Sequence, residues 1–235
     1  MKKAVFVALD YDNQKDVENL LQKLGDPQET YLKIGMELYY HYGPNLVKTL
    51  VKQGYHIFLD LKLHDIPNTV YQAARQIGKL GVFCTTVHAL GGSAMIAAAK
   101  KGLVDSTPKG SEVPKLLAVT ELTSISAATL ANEQNCSLSM AEEVVSLAQT
   151  AKSAGADGVI CSPLEVQNLR EIVGQDFLYV TPGIRLSAKA NDDQKRTATP
   201  SKAKEFGSSA IVVGRPITKA ESPAQVYQEI KKEFE

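Results

Sequence analysis

Two hydrophobic periods take turns along this chain. Short β-branched or leucine-rich runs predict strands over 5–10, 31–36, 56–62, 82–89, 116–123, 158–162, 177–181 and 210–213. Between them apolar residues recur at helical spacing, as Val17, Leu20, Leu21 and Leu24 do over 16–24, the stripe of an amphipathic helix. Gly25-Asp26-Pro27 ends that helix. A second helix is predicted from near Pro44, where proline suits a first turn. A third covers 67–80, with Asp65 and Asn68 as candidate caps. Gly91-Gly92 leads into an alanine-rich helix ending near Gly102. A long helix covers 139–154, where Ser139 and Glu142 have capping-box spacing. A short helix starts at Pro163, and a last one covers 223–234.

Eight strand–helix units in 235 residues come close to the roughly 250 of a (β/α)8 barrel. Strict alternation implies a parallel sheet with right-handed crossovers. A doubly wound open sheet competes, but it usually has fewer strands. No G-x-G-x-x-G turn follows the first strand. The expectation is an α/β fold, a (β/α)8 TIM barrel, in one domain over 1–235.

Composition narrows the function classes. Lysine plus arginine (26) equals aspartate plus glutamate (26), which suggests no polyanion-binding surface beyond local basic pockets and argues against nucleic acid. Cys84, Cys136 and Cys161 are odd in number and widely spaced, without disulfide or metal-ligand pattern, and suit a reducing cytoplasm. Met1-Lys2-Lys3 and the apolar run behind it resemble a signal peptide, but the run stops at Asp10 without a small-residue cleavage site and reads as a strand. No run approaches the ~18 apolar residues of a membrane span. A soluble, cytoplasmic protein is expected.

The strand over 56–62 is the unusual one. Strands buried on both faces read as apolar runs, yet here Asp60 and Lys62 share one face while Ile57, Leu59, Leu61 and Leu63 take the other. Buried charge is unfavourable unless paired. An ion pair that merely holds the strand end is the bland explanation. Other strand ends weigh against it. Asp10 ends the first strand on the parity of Phe6 and Ala8, Lys33 points opposite to Leu32 and Ile34, Asp65 lies just beyond Lys62, and Thr123 ends the fifth strand. In a barrel these positions share one mouth, where catalytic groups sit.

Two further loops point to phosphate. Thr181-Pro182-Gly183-Ile184-Arg185 and Val213-Gly214-Arg215-Pro216-Ile217 follow the seventh and eighth strands, where barrels commonly hold phosphate through backbone N–H groups. Arginine adds a bidentate fork. The aperiodic stretch 186–200, with Gln194, is long for a plain connection and reads as a lid.

The run Asp60-Leu61-Lys62-Leu63-His64-Asp65-Ile66-Pro67-Asn68-Thr69 resembles the signature of the orotidine 5′-phosphate decarboxylase family in its compact bacterial form. Lys33 and the two Gly-Arg loops fit the same pattern in order, over nearly the whole chain. The resemblance implies conversion of orotidine monophosphate to UMP and CO2, the last step of UMP synthesis, with no cofactor and no metal. It implies an alternating charged network of Lys33, Asp60, Lys62 and Asp65, with Lys62 as proton donor. Asp10 and Lys33 would meet ribose hydroxyls and Thr123 the pyrimidine edge. Arg185, Gln194, Gly214 and Arg215 would hold the phosphate. It further implies a homodimer with composite sites, Asp65 and Thr69 reaching into the partner's. Two alternatives stay open. A Mg²⁺-dependent relative acting on a sugar phosphate shares the Asp-x-Lys-x-x-Asp core, but such members carry a carboxylate where this chain has Lys33. A non-catalytic phosphometabolite-binding barrel would keep the phosphate loops and lose the lysine–aspartate network.

Overall fold

Every residue of β1 (Ala4–Ala8) is buried, because its two faces meet different apolar layers. Phe6 and Ala8 point into a central core with Phe58, Cys84, Leu117, Val180 and Val212. Val5 and Val7 point outward into the larger core beneath the helices. The computed structural model describes residues 3–186 and 196–235. β1 is followed by β2 (Tyr31–Gly35), β3 (His56–Leu63), β4 (Cys84–His88), β5 (Lys115–Val119), β6 (Gly158–Ile160), β7 (Leu178–Thr181) and β8 (Ala210–Val213). All pairings are parallel and follow chain order, and β8 closes onto β1. The fold is the expected (β/α)8 barrel.

The helical layer comprises α1 (Gln14–Leu24), α2 (Met36–Lys52), α3 (Pro67–Gly78), α4 (Gly92–Ser106), α5 (Ala127–Asn132), α6 (Met140–Ser153), α7 (Val166–Ile172), α8 (Pro200–Glu205), α9 (Arg215–Thr218) and α10 (Pro223–Phe234). α1 buries Val17, Leu20, Leu21 and Leu24, the stripe visible in the sequence, and Asn13 caps it by accepting from the Asp16 N–H. Ser139 and Glu142 form the expected capping box of α6.

Some expectations need correction. α2 starts at Met36, not near Pro44. Gly43, at φ 65°, breaks the helical backbone there, and Pro44 opens only its second part. The residue before α3 is Ile66, and no side chain caps that helix. Asp65 instead accepts from the Ile66 N–H at 2.6 Å. β5 ends at Val119 rather than Thr123. Its neighbour β6 stops at Ile160, so the ladder has nothing further to pair with. The connection beyond β5 carries α5, capped by Ser126.

Candidate active site

The two-residue period that fills the barrel interior continues into charge at its C-terminal mouth. Beyond Phe6 and Ala8 comes Asp10, beyond Tyr31 comes Lys33, and beyond Phe58 comes Asp60, followed by Lys62, whose backbone at φ 50° breaks the alternation. These residues line a cavity of about 300 Å³ together with Thr123, Gly183, Arg185, Gly214 and Arg215. Lys33 Nζ donates to Asp10 Oδ1 at 2.9 Å, and Lys62 Nζ donates to Asp60 Oδ2 at 2.8 Å. Because β7, β8, β1, β2 and β3 are successive neighbours, the two Gly-Arg loops, the Asp10–Lys33 pair and the Asp60–Lys62 pair form one arc around the mouth.

Glycine matters at two points of this arc. Gly183 sits at φ 79°, a left-handed backbone that side chains disfavour. At Gly214 an added Cβ would meet only Asp10 Oδ2 at 3.5 Å and Ala8 Cβ at 3.6 Å. Those are ordinary contacts, so the room beside its backbone opens toward the cavity. The stems of the expected lid are fastened together. Arg185 N–H donates to the Ala198 carbonyl at 2.9 Å, and Ala198 N–H donates to the Gly183 carbonyl at 3.1 Å. Gln194 lies outside the described residues.

The four charges expected at one mouth do not stay together. Lys33, Asp60 and Lys62 line the cavity, whereas Asp65 and Thr69 are exposed and outside its lining. Thr123 does line it, but from the loop beyond β5.

Five participants escaped the sequence reading. Thr86, fully buried on β4, donates from Oγ1 to Asp60 Oδ1 at 2.9 Å. His88 ends β4 with its ring 5.5 Å from that of His64. Burial lowers its pKa, with His64 and Lys62 adding to the effect and Asp60 opposing it. Glu121 is buried in the cavity wall, its Oε2 accepting from Gln134 Nε2 at 3.3 Å. Burial raises its carboxyl above the ordinary range. Arg196 pairs with the largely buried Glu165 and donates to the Leu122 carbonyl at 3.1 Å. Burial raises the Glu165 carboxyl as well, against the pull of Arg196. A glutamate in the run 116–123 and a threonine pair in a buried strand were readable signals. Nothing in a sequence pairs Glu165 with Arg196.

Comparison with known proteins is consistent along the full length. The family model described as Orotidine 5′-phosphate decarboxylase / HUMPS family matches residues 3–230. An orotidine 5′-phosphate decarboxylase from Lactobacillus gasseri is 64% identical over 234 residues, covering 100% of both chains. One from Enterococcus faecalis is 48% identical, covering 97% of this chain and 96% of that one. The crystal structure of orotidine 5′-phosphate decarboxylase from Lactobacillus acidophilus superposes with a TM-score of 0.91 at 61% identity, covering 99% of each chain. On sequence, fold and the arc of charges alike, this chain belongs to the orotidine 5′-phosphate decarboxylase family.

Proposed function

We propose that this chain decarboxylates orotidine 5′-monophosphate to UMP and CO2, as one barrel domain over 1–235 acting without a cofactor in a homodimer. The observation that carries this reading is the Lys62 ammonium, held 2.8 Å from Asp60 Oδ2 in the cavity that also contains Arg185 and Arg215. The arc matches the substrate's own order. Phosphate would lie against Gly214, Arg185 and Arg215, joined by Gln194. Ribose would lie against Asp10 and Lys33, with Thr69 of the partner subunit assisting. The pyrimidine would place C6 at Asp60 and Lys62 and its far edge at Thr123.

The chemistry suits such a site. The bond from C6 to the carboxylate carbon breaks, CO2 leaves, and the electron pair stays on C6. That sp² carbon delocalises the pair poorly, so stabilisation must come from charge already in position. The Lys62 ammonium supplies it and then delivers a proton to C6 as general acid. Water returns the proton to Lys62, so one proton is consumed for each carboxylate lost. Asp60 holds the ammonium in place and faces the substrate carboxylate. Phosphate contacts remote from C6 can drive closure of the site, so a substrate lacking phosphate should lose rate as well as affinity. Lys33 donates to Asp10, and a cation at that position repels a divalent ion.

The test is absorbance-monitored turnover of orotidine monophosphate after dialysis against EDTA, with Lys62→Ala beside wild type. Turnover that survives EDTA and vanishes in the variant is expected. A folded wild-type protein that leaves the substrate intact refutes the reading and directs the search to Mg²⁺ and sugar phosphates.

A further inference from the structure

β3 and β4 do not keep step. Leu59 pairs with Thr85 and Leu63 with Val87, so four positions along β3 match two along β4. The two extra residues bulge out around Lys62, whose backbone sits at φ 50°. That left-handed conformation is disfavoured for a residue with a side chain and persists only where its surroundings enforce it. A bulge also removes N–H groups from the ladder, and a buried N–H without a partner is destabilising.

One hydroxyl meets both demands. Thr86 Oγ1 accepts from the Lys62 backbone N–H at 2.9 Å and donates to Asp60 Oδ1 at 2.9 Å. The other carboxylate oxygen of Asp60 accepts from Lys62 Nζ at 2.8 Å. The chain of bonds is therefore a closed loop, from Lys62 backbone through Thr86 and Asp60 to Lys62 side chain. Its neighbour Thr85 is equally buried, but its hydroxyl donates to the Leu59 carbonyl at 2.9 Å rather than to Asp60 or Lys62.

The geometry points to Thr86 as a positioning residue for the decarboxylation. It pins the bulged backbone of Lys62 and the orientation of Asp60 with a single hydroxyl, so that the ammonium is aimed before substrate arrives. The inference rests on the proton-donor reading of Lys62 given above. Thr86 acts through Asp60 and Lys62 rather than on substrate, so its loss should fall on the chemical step and not on nucleotide binding.

The experiment compares wild type, Thr86→Val, Thr86→Ser and Thr85→Val, measuring kcat, KM, the Kd for UMP and Tm. UMP lacks the reacting carboxylate and reports nucleotide binding alone. Loss of a hydrogen bond to a charged group predicts a kcat lower by about 10- to 100-fold in Thr86→Val. The Kd for UMP should stay within about twofold, since an interaction used only in the transition state leaves ground-state binding unchanged. Thr86→Ser keeps the hydroxyl and should recover most of kcat. Thr85→Val loses an equally buried hydroxyl, and should lower Tm with kcat unchanged. Wild-type kcat in Thr86→Val overturns the proposal. So does a kcat loss that Ser does not rescue, or one that Thr85→Val shares, or a parallel loss of UMP binding. Wild-type protein that fails to turn over the substrate, or an active Lys62→Ala, overturns the decarboxylase reading itself and this inference with it.

Discussion

Mixing two inactive variants gives the sharpest test of how the site is assembled. Asp65 follows Lys62 by three positions, yet it is exposed, among the described residues accepts only from the neighbouring Ile66 N–H, and stays out of the cavity lining. If it serves a partner's site, Lys62→Ala and Asp65→Ala damage different halves of a composite site. In a two-fold dimer each site would combine Lys62 of one chain with Asp65 of the other. A mixed dimer then has one site lacking both groups and one site lacking neither. Random reassortment of equal amounts makes half the dimers mixed, so about a quarter of all sites become intact. Each variant alone should be nearly inactive, and the mixture should reach about a quarter of the wild-type rate per site after subunit exchange. Lys33 and Lys62 line the same cavity of one chain, so mixing Lys33→Ala with Lys62→Ala should restore nothing. The assay is initial rate against time after mixing, with exchange followed by a mass-tagged subunit. No recovery in the first mixture despite complete exchange, or equal recovery in the second, would refute a shared site.

Two predictions concern stability. A Cβ at Gly102 on α4 would stand 2.5 Å from the Tyr71 carbonyl oxygen and 3.0 Å from Ala74 Cβ on α3. Gly102→Ala gains about 1 kcal/mol of helix propensity. Overpacking against a backbone that cannot swing aside loses about 1–3 kcal/mol. Packing should win, and Tm should fall by about 2–4 °C for each net kcal/mol. A Tm at or above wild type would show that the two helices separate freely. For Glu121, burial raises the folded carboxyl pKa, so the folded chain holds this proton more tightly than the unfolded one. The ionised group therefore weakens the fold above its raised pKa, and the penalty disappears as pH falls below the unfolded value. Glu121→Gln should raise the denaturation midpoint at pH 7, with the gain shrinking toward pH 4. A loss at pH 7, or a gain independent of pH, contradicts that assignment.

The chain by itself determined the barrel and the interior row of charge. Both rest on local periods. A two-residue alternation assigns each strand residue a face, and that suffices to carry Asp10, Lys33 and Asp60 from the apolar rows Phe6-Ala8, Tyr31 and Phe58 into one mouth. The Gly-Arg loops after β7 and β8 were legible for the same reason, since their place follows from counting strands. Tertiary structure decided what depends on neighbours distant in sequence. β5 stops at Val119 because β6 is short. Lys62 leaves regular strand geometry because β4 pairs two residues against four, a mismatch visible only once the strands are side by side. Thr86 meets Asp60 across 26 positions, and Arg196 meets Glu165 across 31. Such pairs follow from the register and the closure of the barrel. Local sequence carries face and period, whereas partners across the barrel exist only after the ring has closed.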